Sequence, residues 1–134
     1  MNVNIHVMAL EMTAIYAGIL AVLYIIISLR VSLGRKKNKV NLGDGGNEDM
    51  QKRIRVHGNF AEYVPMALLL MAIVEINGGV GWAIHVLGIA LVVGRLLHAY
   101  GLSAGVLPGR AIGSLLSWLV IVAAGVYAFV QAVS

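Results

Sequence analysis

Cysteine is absent from the chain. Disulfides, thiolate metal sites and a side-chain thiol nucleophile are thereby excluded, and any sulfur chemistry must use a thiol carried in by a ligand. Charge is scarce as well: Asp, Glu, Lys and Arg make up 12% of the 134 residues, against about 25% in a typical soluble domain. Apolar residues take their place, reaching 60% of the chain with a mean hydropathy of +0.87. A soluble chain this short could not hide that much apolar surface in one core. A lipid bilayer is the expected solvent, and one domain, 1–134, is expected at this length.

Four apolar runs match the length of about 20 residues that a spanning helix needs. They cover 6–29, 60–76, 81–100 and 111–133, and the last contains no charge at all. In lipid every backbone polar group must be satisfied within the segment, so each run is expected to be an α-helix. The expected fold is an all-α, up-down-up-down bundle of four transmembrane helices at about 6–30, 50–76, 80–101 and 110–133. The first run lacks a basic leader and is too long for a cleavable signal core, so it should remain as helix 1. Asn77, Gly78 and Gly79 form a tight-turn signature between helices 2 and 3. The Gly- and Asn-rich stretch 31–49 is expected to be a mobile loop.

Lys and Arg are missing from the N-terminal tail, the Asn77 turn and the C-terminal tail. They crowd instead around the first loop, as Arg30, Arg35, Lys36, Lys37, Lys39, Lys52, Arg53 and Arg55, with Arg110 in the third. The positive-inside rule then puts loops 1 and 3 in the cytoplasm and both termini on the other side. The cluster from Arg35 to Lys39 fits a topology signal in contact with anionic headgroups.

Ionisable groups inside a span are costly and are functional candidates. Arg55, Asn59 and Glu62 fall on one stripe of helix 2, and Arg95 and His98 share a face of helix 3. Glu62 and Arg95 both sit roughly 10 Å from the cytoplasmic ends of their helices. Two readings stand for them: a structural ion pair, Glu62 with Arg95, or a polar site that also gathers Arg55, Asn59, His98 and Arg110. Leu107, Pro108, Gly109 and Arg110 form a turn signature. It should place Arg110 at the start of helix 4, either as an interfacial arginine or as part of an anion site. Glu11 and Glu75 lie near the outer helix ends, where headgroups should solvate them. His85 is expected to be interfacial or an internal hydrogen-bond partner. Pro65 should kink helix 2, and Gly88, Gly94, Gly113 and Gly125 suggest close helix contacts.

The string Arg55-Val56-His57-Gly58-Asn59-Phe60-Ala61-Glu62-Tyr63-Val64-Pro65 resembles the second-helix motif of the MAPEG family. These are the membrane-associated proteins in eicosanoid and glutathione metabolism, which include microsomal glutathione transferases, leukotriene C4 synthase and microsomal prostaglandin E synthase. Gly94-Arg95-Leu96-Leu97-His98 resembles the third-helix pattern of the prostaglandin branch. The resemblance covers essentially the whole chain. It implies a homotrimer that binds glutathione as co-substrate between subunits near the cytoplasmic face and takes a lipophilic small molecule from the membrane lipids. It also implies glutathione contacts at Arg30, Arg55, Asn59, Glu62, Tyr63 and His98, and a catalytic, thiolate-stabilising role for Arg110. No metal and no nucleic-acid partner are expected.

Departures from the family pattern narrow the activity. Gly58 stands where the prostaglandin branch has arginine, and Leu102 where other members have tyrosine. Ala111 and Ser114 stand where that branch has serine and tyrosine after the helix-4 arginine. A dedicated prostaglandin or leukotriene synthase is therefore not expected. A detoxifying glutathione transferase or peroxidase for lipophilic electrophiles or lipid hydroperoxides is the leading reading. A glutathione- or lipid-binding protein without turnover is the second. A small multidrug transporter, suggested by Glu11 in helix 1, is opposed by the one-sided Lys/Arg distribution and by the position of Glu11 near a helix end.

Overall fold

The computed structural model describes residues 9–134. Four α-helices follow one another: α1 Glu11–Asn38, α2 Glu48–Ile76, α3 Gly81–Ala104 and α4 Leu107–Val133. All four are long and apolar enough to cross a membrane, and they form the up-down-up-down bundle. The beginning of the first apolar run, at His6, lies outside the described residues. Large apolar side chains such as Val22, Leu69, Val86 and Val122 are exposed around the outside of the bundle. That distribution suits helices bathed in acyl chains, where apolar side chains need not turn inward.

The middle helices α2 and α3 contact each other and both contact α1, while α4 packs on α3 and α2. Among the described residues α1 and α4 do not touch. Leu20, Ala67, Met71, Ile84, Leu91, Val120 and Ala124 fill the interior. Lipid is as apolar as these side chains, so dispersion contacts and close backbone approach, rather than water expulsion, hold the helices together. Pro65 lies inside α2, which continues through it; with no N–H on Pro65, the Ala61 carbonyl lacks its helical partner.

The connection between α1 and α2 differs from the mobile loop expected. α1 runs about two turns past Arg30, and only 39–47 lie outside helix. Lys39 closes α1 in the left-handed conformation, with φ 55°. Side chains then tie the segment down. Arg35 Nη1 donates to the Gly43 carbonyl at 2.6 Å, and Asn47 Nδ2 donates to Asn38 Oδ1 at 3.2 Å. Asn38 Nδ2 donates to Asp49 at 3.2 Å, and Arg53 Nη1 donates to the Arg30 carbonyl at 2.9 Å. Asn47 also caps α2, accepting from the Met50 amide at 3.0 Å. The result is an ordered spur at the charged end of the molecule.

At the opposite end Gly78, with φ 77°, makes the tight reversal between α2 and α3. Glu75 is buried there, in contrast to its expected place among headgroups, and accepts from the backbone amides of Met12 and Thr13. His85 hydrogen-bonds Tyr16 Oη through Nδ1 at 2.7 Å, as an internal partner.

Candidate functional site

Helical spacing on α2 sets Arg55, Asn59 and Tyr63 one turn apart along a single stripe. This stripe forms one wall of a cavity of about 340 Å³. His98 of α3 supplies its floor. α4 supplies the facing wall through Leu107, Arg110, Ala111, Ser114 and Trp118. α4 begins one turn earlier than expected, at Leu107, with Pro108 in its first turn where a missing N–H costs nothing. Arg110 therefore projects from the first turn of the helix.

The close approach of α3 and α4 beneath the cavity depends on glycine. A Cβ built at Gly113 would come within 2.5 Å of the Gly94 carbonyl oxygen and of the His98 backbone nitrogen. With no side chain there, the Gly113 carbonyl is reached by Arg95 Nη2 at 3.1 Å and by Ser117 Oγ at 3.1 Å.

Five of the expected site residues are thus brought together: Arg55, Asn59, Tyr63, His98 and Arg110. Glu62 stands beside them without lining the cavity. It pairs with Arg55 on its own helix at 3.5 Å, both side chains being more than half exposed. An ion pair so exposed contributes little to stability. The expected pair of Glu62 with Arg95 does not form. Arg95 is only 1% exposed and donates from Nη1 to Asn59 Oδ1 at 2.6 Å. Similar depth brought Glu62 and Arg95 to one level of the bundle, but Glu62 points around the outside of α2 while Asn59 faces α3.

Arg30 is separated from the group. It borders a different groove, between α1 and α3, with Leu23, Leu96, Tyr100 and Ser103 among its neighbours. A third groove, between α1 and α2, is almost wholly apolar and includes Leu20, Phe60, Val64 and Pro65. Trp118, which is not among the candidate residues above, lines the cavity and lies 6.4 Å from the Tyr63 ring, centroid to centroid. The signal was present in the spacing of Leu107, Ala111, Ser114 and Trp118, which puts them on one face of a helix that also carries Arg110.

The lining of this cavity is cationic. It contains two arginines and no carboxylate, and arginine forks suit carboxylates. The α4 wall sets the apolar Leu107, Ala111 and Trp118 beside Arg110 and Ser114. Among the described residues no three His, Asp or Glu side chains converge as a metal site would require.

The family model of the MAPEG family matches residues 13–130. The chain belongs to the MAPEG family. It is also 40% identical over 106 residues to the inner membrane protein YecN of Escherichia coli, an alignment covering 79% of this chain and 81% of that protein. YecN from a second strain of that species gives the same figures. Family membership and the four spanning helices together make this an integral, multi-pass membrane protein of the MAPEG type.

Proposed function

We propose that this MAPEG protein is a glutathione transferase or peroxidase acting on lipophilic electrophiles or lipid hydroperoxides. The observation that carries the reading is the convergence of Arg55, Asn59, Tyr63, His98 and Arg110, from three helices, on one cavity that contains no carboxylate. Glutathione brings two carboxylates, an ammonium and the thiol that the cysteine-free chain lacks. Arg55 suits a carboxylate. Glu62, at the edge of the site, suits the ammonium. Arg110, without an ion pair among the described residues, suits the thiolate. A cation beside sulfur lowers the thiol pKa and raises the fraction of nucleophile present at neutral pH.

In the transferase reaction the thiolate attacks an electrophilic carbon, a C–S bond forms, and the leaving group departs with its electron pair. With a hydroperoxide, two glutathione molecules supply two electrons and end as the disulfide, while the peroxide becomes an alcohol and water. The apolar part of the α4 wall, Leu107, Ala111 and Trp118, is where a lipid-soluble reactant would lie. The reading includes a homotrimer, in which Arg30 would serve the cavity of a neighbouring copy. It also includes an orientation with the charged end of the bundle in the cytoplasm, in line with the positive-inside rule.

Calorimetric titration of the detergent-solubilised protein with glutathione tests this directly. It is followed on the same sample by turnover with an aryl halide and with a fatty-acid hydroperoxide. Saturable heat and turnover are expected. No heat at all would overturn the reading. Heat without turnover would favour a binding protein, a reading supported by Ala111 and Ser114 in the cavity wall, where the prostaglandin branch carries serine and tyrosine hydroxyls.

A further inference from the structure

Arg95 is a buried cation with no counter-ion. The chain has six acidic residues, and each is engaged or remote. Glu48 pairs with Lys52, Asp49 with Arg53 and Glu62 with Arg55. Asp44 accepts from the Gly46 amide within the loop. Glu75 caps α1, and Glu11 opens α1 at that same far end. At 1% exposure, Arg95 is also closed to a carboxylate from a neighbouring copy approaching over the surface. Its hydrogen bonds go to two neutral oxygens, Asn59 Oδ1 and the Gly113 carbonyl, and its buried Nε has no partner. A buried charge left in this state is strongly unfavourable, and its field extends far in low-dielectric surroundings.

Asn59 is the link between this charge and the cavity. A guanidinium only donates hydrogen bonds, so Asn59 must turn its carbonyl oxygen toward Arg95. Its Nδ2 amide is then the group left to serve the cavity that Asn59 lines. The side chain therefore offers a donor to a ligand, backed by the positive charge behind it.

We infer that Arg95 is a positioning residue that fixes Asn59 as a hydrogen-bond donor, and that a carboxylate of the ligand, held at Asn59 Nδ2, is the missing counter-ion of Arg95. This rests on the proposed glutathione site and deepens it: the cavity selects for a carboxylate on the peptide independently of the thiol. Arg95 acts through Asn59 and touches no reactant itself.

The test uses Asn59→Asp, which keeps the side chain's shape while giving Arg95 a built-in carboxylate. The full-length protein carries Trp82→Phe, since Trp82 lies near the far end of α3, so that Trp118 in the cavity wall reports binding by its fluorescence. The probes are reduced glutathione and its diethyl ester, which has no free carboxylate. The parent protein is expected to bind glutathione more tightly than the ester by about ten-fold or more. Asn59→Asp is expected to narrow that preference to the part that Arg55 supplies and to weaken glutathione binding by about ten-fold. The ligand-free Asn59→Asp protein is expected to melt at a higher temperature than the parent, because its own carboxylate neutralises Arg95.

Equal binding of ester and acid by the parent would overturn the inference, as would glutathione binding by Asn59→Asp within about two-fold of the parent. A melting temperature unchanged or lowered by Asn59→Asp would overturn it as well. If the parent binds no glutathione, the proposed function fails while the ligand-free melting comparison still decides the role of Arg95. A purely structural Arg95 would leave the preference for acid over ester unchanged in Arg95→Met, which removes the charge but keeps Asn59 itself.

Discussion

Glu75 Oε2 accepts a 2.8 Å hydrogen bond from the backbone N–H of Thr13, so a carboxylate on the last turn of α2 closes the first turn of α1. Oε1 takes the Met12 amide at the same distance. Helix starts leave unpaired amides and a positive dipole end, and α1 has no side-chain cap of its own. Glu75→Ala should therefore destabilise the protein by about 1–2 kcal/mol, read as a lower melting temperature in detergent with faster amide exchange at the start of α1. Glu75→Gln, keeping one acceptor oxygen, should fall between the two.

Arg110→Ala should abolish conjugation of glutathione to an aryl halide while leaving glutathione binding largely intact. Calorimetry beside a turnover assay checks this. The reason is position: Arg110 comes from α4, across the cavity from the Arg55, Asn59 and Tyr63 stripe. A group that acts on the thiolate alone affects the rate more than affinity for the remainder of the peptide.

Arg55→Ala should weaken glutathione binding by about ten-fold, the usual loss for one charge-assisted hydrogen bond. It should leave the melting temperature of the ligand-free protein nearly unchanged, because the Arg55 pair with Glu62 is exposed.

Gly113→Ala should cost about 1–3 kcal/mol, the range for overfilling a packed contact. The added methyl would collide with backbone on α3 at Gly94 and His98. Lower thermal stability and loss of glutathione binding should appear together, since the same carbonyl anchors Arg95.

Asp49, in the first turn of α2, ties the spur together outside the apolar spans. The hydrogen bond from Arg53 holds its carboxyl below the ordinary value of 3.8. Asn38 and the charges of Arg53 and Lys37 add to this, against an opposing desolvation effect. A carboxylate depressed in the folded state stabilises above its unfolded pKa and loses that effect as pH falls through the folded value. Protection of the amides across 39–50, taken relative to the intrinsic exchange rate at each pH, should hold from neutral pH down to about pH 4 and fall below it. Asp49→Asn should remove the step.

The spans were legible because bilayer thickness and backbone satisfaction leave a long apolar run few alternatives. Arg55 and Asn59 were legible as one stripe of α2 because helical periodicity orders residues on one element; Tyr63 came only from the family resemblance, and Glu62, placed on the same stripe by spacing, does not line the cavity. The partner of Arg95 was not: counting residues gives depth along a helix, but the rotation of α2 that turns Asn59 rather than Glu62 toward α3 comes from packing. Glu75 was misread for a related reason. Its partners are amides of a helix start more than sixty positions away in sequence, and amides carry no side-chain signature. The 31–49 segment looked mobile by composition, yet Arg35, Asn38 and Asn47 use their polar groups to order it.

Because α4 leans on α2 and α3 but, among the described residues, does not meet α1, one wall of the cavity belongs to an element independent of the α1 side of the bundle. Leu107, Ala111, Ser114 and Trp118 can be rewritten, with Gly113 and its close approach to α3 retained, without disturbing the half of the bundle that carries the ordered spur. Under the proposed function, reactant preference is modular: it can drift on one flank while the Arg55, Asn59 and Tyr63 stripe on α2 stays fixed.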